Sequence, residues 1–146
     1  MTDRPVRNGG LPDLKEIIVP NDLAAAKTPE RLILEEAEAS GYSENAVFAV
    51  KLALEEAMTN AFRHGNQRDP AKHITIRYRV NRERIEIEVI DEGPGFEPDS
   101  VPDPTKPEYI DRPHGRGIML MRAYLDSVEY SKQGNAVRLV IINKPP

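Results

Sequence analysis

Glu56 and Asn60 lie four residues apart in the most regular helical pattern of this sequence. At about 100° per residue they are about 40° apart around the helix and one turn apart along it, so their side chains reach one point in space. A carboxylate and an amide oxygen so placed are hard oxygen ligands, of the kind that hold Mg²⁺ together with substrate phosphates. Ala49, Ala53 and Ala57 flank the pair and leave room beside it. The plainer alternative is a solvated Glu at a helix edge, paired with nothing. Asp91 is a second anomaly. It continues the register of Ile85, Ile87 and Val89, so its carboxylate should face the same buried side at the strand end. Such a carboxylate wants a donor, because desolvating it unpaired costs several kcal/mol or forces its protonation. The donor is either an NH group of a ligand or the backbone NH groups of the turn from Glu92 to Gly95.

Two glycine pairs complete the set: Gly93 and Gly95 around Pro94, and Gly115 and Gly117 around Arg116, just ahead of an apolar stretch. Glycine there permits close backbone approach, and a helix start presents free NH groups to a phosphate. Together the pairs suggest a nucleotide pocket with a lid. Neither is followed by Gly-Lys-Ser/Thr, and neither gives the full dinucleotide fingerprint. His64, His73 and His114 are too scattered for a metal cage, and no nucleophile elbow is present. His64 reads as a helix-end cation, and His114 as a weaker candidate for a phosphate contact.

The elements that must position these residues can be read from periodicity. Residues 1–13 carry no period and read as a flexible tail. A strand follows from Leu14 to Pro20, then a helix in two pieces with Asp22 and Thr28 as N-cap candidates, ending at Ser40-Gly41. Ser43 caps the long helix, with Val47, Val50, Leu54, Met58, Ala61 and Phe62 apolar and Gly65 closing it. Ile74, Ile76, Tyr78 and Val80 alternate with polar residues, as do Ile85, Ile87 and Val89, which makes an antiparallel hairpin. Val128 and Tyr130, then Val137, Leu139 and Ile141, make another, with a helix expected from Ile118 to Leu125. The fold class expected is α+β: a two-layer sandwich of helices on one face of a mainly antiparallel sheet, its other face solvated. Residues 14–146 form one domain, and the segment from about 94 to 114 reads as a lid because six of the 13 prolines crowd it.

Composition excludes several classes. Without cysteine there is no disulfide scaffold, thiolate metal site or cysteine nucleophile, which fits a cytoplasmic protein. No apolar run spans a membrane or makes a signal peptide. A net charge of -4 weighs against direct nucleic-acid binding.

In order, the three motifs are similar to those of one superfamily. Glu55-Glu56-Ala57-Met58-Thr59-Asn60-Ala61-Phe62-Arg63-His64-Gly65 resembles the N box of the GHKL (Bergerat-fold) ATPases. Asp91-Glu92-Gly93-Pro94-Gly95-Phe96 resembles their first glycine box, and His114-Gly115-Arg116-Gly117-Ile118-Met119-Leu120-Met121-Arg122 their second. Within the superfamily the chain most resembles bacterial anti-sigma-factor serine/threonine kinases, over roughly residues 14 to 143. The resemblance implies that Asn60 coordinates Mg²⁺ on the ATP phosphates, with Glu56 a second metal candidate and the candidate general base. It also implies that Asp91 accepts a hydrogen bond from the adenine amino group. Gly93 and Gly95 would let the backbone pass the base and sugar, Gly115 and Gly117 would open a helix toward the phosphates, and Arg116 would touch them. The expected function is ATP-dependent phosphorylation of an anti-anti-sigma (STAS) protein by a homodimeric kinase that also binds a sigma factor. The alternative is a non-catalytic nucleotide-binding module that controls its partner by occupancy. A third reading, a detached histidine-kinase catalytic domain, lacks a phospho-acceptor helix ahead of residue 14.

Overall fold

The computed structural model describes residues 14–94, 125–131 and 134–144. The tail expected at residues 1–13, the lid expected beyond Pro94, the helix expected from Ile118 up to its last residue Leu125, and the second glycine pair with Arg116 and His114 lie outside them, as does Gly95.

Strand β1 (Lys15–Pro20) stops at its proline, and Asp22 then accepts from Ala24 N at 2.9 Å to start a single 3-10 turn, Leu23–Ala26. Helix α1 (Lys27–Ala39) grows directly out of that turn. Thr28 therefore lies inside the helix and is not its cap: Ala26 is already helical at φ -71 and ψ -15, and the Lys27 N–H bonds back to Ala24 O. Asp22 supplies the one side-chain cap for the joined pieces. Gly41, at φ +89, ends the segment in the left-handed conformation that favours glycine. Ser43 accepts from Ala46 N at 3.1 Å and opens α2 (Glu44–Asn60).

Among the described residues five strands make one antiparallel sheet in the order β1-β2-β3-β5-β4. Strands β2 (His73–Val80) and β3 (Arg84–Ile90) form the first expected hairpin, with Ile76 opposite Val89 and Tyr78 opposite Ile87. Strands β4 (Ser127–Tyr130) and β5 (Ala136–Ile142) form the second, and β5 pairs with β3 so that Leu139 faces Ile87. The alternation puts Ile74, Ile76, Ile85, Ile87, Val89 and Leu139 in one core with Ile33, Val50, Leu54 and Met58 of the helices. Burying such side chains supplies about 1.5–3 kcal/mol each. Ala49, Ala53 and Ala57 are buried in the same core, so packing uses the space their size was expected to leave for a ligand.

The other sheet face is polar but not uniformly solvated. The register lines up Glu16, Arg77, Glu88, Arg138 and Glu129 across all five strands with alternating sign. Beside this row, Glu86 is only 1% exposed, held by Arg79, by Arg138 at 2.6 Å and by Arg84 at 3.1 Å. Burial favours its neutral form, but the Arg138 and Arg79 hydrogen bonds outweigh that and hold the carboxyl below its usual range.

Candidate functional site

The site is built where α2 ends. Asn60 is the last residue of α2, and Ala61–Gly65 continues as one π turn, closed by Asn66 N to Ala61 O at 2.7 Å. A π turn inserts an extra residue into the helical repeat and is common at functional sites. It carries Arg63 and His64 and delivers Gly65 to the end of β3. The turn that follows holds Gln67 and Arg68 at φ 54 and 59, so the chain reverses sharply into β2.

Glu56 is not the solvated helix-edge residue of the plainer alternative. Its Oε2 is shielded from solvent and has no hydrogen-bond partner. Burial pushes its pKa up to about 7, although a hydrogen bond with Asn60 and the charge of Arg63 act to lower it. The Asn60 bond shows that the two side chains meet, as their spacing predicts. A carboxyl group titrating near neutrality can take up or release a proton under ordinary conditions.

Asp91 follows the last residue of β3, and its backbone N–H donates to Asn135 O at 2.9 Å. Oδ1 accepts from Gly93 N at 2.8 Å, so the turn-capping alternative holds for that oxygen. The whole carboxylate is also pressed on the end of the helix. A Cβ built on Gly65 would lie 2.1 Å from Asp91 Oδ2, and one built on Gly93 would lie 1.7 Å from Gly65 O. Burial raises the Asp91 pKa, opposed by the Gly93 N–H bond and the charge of Lys72. Gly65 was expected to close the helix as a glycine cap. Its φ is not positive, and the reason for glycine is the carboxylate occupying the place of a side chain.

Two residues that the sequence reading passed over organise this corner. Asn66 is fully buried and bonds Glu92 N, His73 O and Asn21 Oδ1 at 2.7, 2.9 and 3.1 Å. Asn21, 6% exposed, in turn donates to Asp69 O at 2.9 Å. Neither carries a spacing signal; only its burial in three dimensions distinguishes it from a loop asparagine.

Glu56 and Asn60 fit a phosphate-borne Mg²⁺, since one Glu56 oxygen is orphaned and the Asn60 amide that bonds the carboxylate also carries an oxygen able to ligate. Among the described residues no group of three or more His, Cys, Asp or Glu converges on one point, so such an ion would draw most of its ligands from phosphate and water. Also among them, no helix is long and apolar enough to cross a membrane.

Comparison with known proteins agrees with this architecture. The histidine kinase-like ATPase domain family matches residues 19–141. The chain is 32% identical over 100 residues to the anti-sigma F factor of Clostridium beijerinckii, a match covering 65% of this chain and 68% of that one. It is 33% identical over 94 residues to the serine-protein kinase RsbW of Bacillus subtilis, covering 60% and 59%. A crystal structure of RsbU and RsbW domains from Mycobacterium tuberculosis shares the fold, with a TM-score of 0.60 at 16% identity, covering 90% of this chain and 33% of that chain.

Proposed function

Because the chain belongs to the histidine kinase-like ATPase domain family, we propose that it is an ATP-dependent protein serine/threonine kinase acting as an anti-sigma factor. In this reading residues 14–146 are one ATP-binding domain, which works as a homodimer, holds a sigma factor and phosphorylates an anti-anti-sigma protein of the STAS type. The names of its relatives, anti-sigma F factor and serine-protein kinase RsbW, support the assignment. The observation that carries the catalytic part is Glu56: a shielded, unpartnered carboxylate oxygen with a pKa near 7, touching Asn60. A module that acted by occupancy alone would have no use for a carboxylate left unpaired at such cost.

Phosphoryl transfer depends on positioning and on neutralising charge. Ionised Asp91 accepts a hydrogen bond from the adenine amino group, and Gly93, lacking a side chain, lets the backbone pass close to the base. Asn60 turns its amide oxygen toward the phosphates with Glu56 beside it. Mg²⁺, when bound, supplies charge neutralisation for the phosphate oxygens. Glu56 takes the proton of the incoming serine hydroxyl as that oxygen bonds to the γ-phosphorus and ADP leaves with the bridging electron pair.

The test is incubation of the protein with labelled ATP, Mg²⁺ and the STAS proteins of the same genome. Label should move to one STAS serine or threonine, and Glu56→Gln should bind ATP normally while transfer falls at least about a hundredfold. Transfer at the wild-type rate by Glu56→Gln would remove Glu56 from the chemistry.

A further inference from the structure

Resting on the adenine-binding reading of Asp91, we propose that Asn66 is a positioning residue for nucleotide recognition: its buried amide holds the segment that carries Asp91, and so sets the preference for adenine over guanine. Asn66 uses both ends of its side chain. Oδ1 accepts from Glu92 N at 2.7 Å, while Nδ2 donates to His73 O at 2.9 Å and to Asn21 Oδ1 at 3.1 Å. Only a short primary amide meets that demand: aspartate lacks the donor, and glutamine is a methylene too long.

The Glu92 N–H lies in the peptide plane that leaves Asp91. Because that plane is rigid, holding its N–H fixes ψ of Asp91. The same ψ determines whether Asp91 Oδ1 can accept from Gly93 N, two residues on, at 2.8 Å. Three restraints therefore converge on the carboxylate: the Asn135 carbonyl before it, the glycine surface of Gly65 beneath it and the Asn66 amide behind it. Asn21 keeps the amide from turning, since it is itself anchored by its backbone N–H to Lys72 O at 3.2 Å and by its side chain to Asp69 O. A fixed carboxylate accepts from the 6-amino group of adenine and repels the 6-carbonyl oxygen of guanine. One free to swing does neither well, so discrimination falls while phosphate binding, several residues away on α2, is retained.

The experiment measures dissociation constants of the full chain for ATP and GTP, each with Mg²⁺, by calorimetry, alongside urea unfolding. Asn66→Ala should lose about tenfold in ATP affinity, as for a weakened bond to a charged acceptor, with GTP affinity unchanged or raised as the repulsion is relieved. Added to Asp91→Asn, it should cost nothing further, because both act through one carboxylate. Parallel losses for ATP and GTP, or an unchanged ratio in a folded variant, overturn the proposal. If Asn66→Ala does not fold, Asn21→Ala decides: a reduced ATP-to-GTP preference supports positioning, and the wild-type preference overturns it. Asp91→Asn alone isolates the underlying reading. Wild-type discrimination in that variant would sink the adenine assignment and this inference with it, whereas loss in Asp91→Asn but not in Asn66→Ala would sink this inference alone.

Discussion

Gly65→Ala separates the site from the scaffold. The added methyl would lie 2.1 Å from Asp91 Oδ2, 2.2 Å from its Cγ and 2.6 Å from Oδ1. Ordinary contact needs about 3.5 Å, so the carboxylate must retreat by more than about an ångström. It can do so by rotating about χ1, because only the end of a short side chain is in the way. The retreat breaks the bond from Gly93 N, a loss of about 1.5–3 kcal/mol for a charged acceptor, while alanine returns about 0.5–1 kcal/mol of backbone entropy at a helical position. Stability should fall by only about 1–2 kcal/mol, a reduced urea midpoint in a protein that still folds cooperatively. On the adenine-binding proposal, ATP affinity should fall about 10- to 100-fold, since the displaced carboxylate would no longer meet the adenine amino group. Gly93→Ala is the contrast: its methyl would lie 1.7 Å from the Gly65 carbonyl oxygen, which is backbone and cannot rotate away, so stability suffers with affinity. Calorimetry with ATP·Mg²⁺ and urea unfolding of both variants decide the matter. A folded Gly65→Ala protein with wild-type affinity would refute the argument that the glycine exists to seat Asp91.

Three further outcomes follow from two shielded carboxyl groups. Glu56 keeps its proton in the folded protein to about pH 7, against 4.5 for an unperturbed Glu, so the folded state binds more protons in that window and stability declines as pH rises through it. Glu56→Gln should therefore raise the melting temperature at pH 8 and change it little at pH 5; equal effects at both would show that Glu56 is not buried neutral. By the same titration, wild-type phosphoryl transfer should rise with pH through about 7 and level off above it, and a rate independent of pH from 6 to 8 would contradict proton uptake by Glu56. Glu86 has the opposite sign. Its folded pKa is lowered, so it contributes stability above the ordinary Glu range that is lost as pH falls. Glu86→Gln should cost at least about 2 kcal/mol in urea unfolding at pH 7, because three arginines are left around a buried site, and should flatten the acid limb of the stability curve. A change under about 0.5 kcal/mol would mean that the arginines turn to solvent without loss.

The strands were legible because period-2 alternation is a direct imprint of a half-buried sheet: Ile76, Tyr78, Ile85, Ile87, Leu139 and Ile141 all fell on the buried face. Ser43 and Asp22 were legible because a helix start needs a short polar acceptor. Glu56 and Asn60 stood out by their one-turn spacing, and Asp91 as a carboxylate in the register of a buried strand face. Thr28 misled because a 3-10 turn had already satisfied the helix start upstream. Glu86 was missed because outward alternation predicts solvent, and three arginines from neighbouring strands cover it only once the sheet is assembled. Asn21 and Asn66 were invisible for a related reason: an asparagine beside a turn looks the same whether it is solvated or clamps three segments.

That clamp has a consequence for the order of folding. It joins residues 45 positions apart through Asn21 and Asn66, and 26 apart through Asn66 and Glu92. Contacts that close long loops must wait for the entropy of closure to be met by other structure. Strands β2 and β3 can meet as a local hairpin and α2 can form early, but the cradle around Asp91 is complete only after β1, the α2 terminus and the end of β3 have all docked. A chain caught midway would have helix and hairpin without the seat proposed for adenine. Amide exchange at Glu92 should then report global opening, not the fraying of one strand.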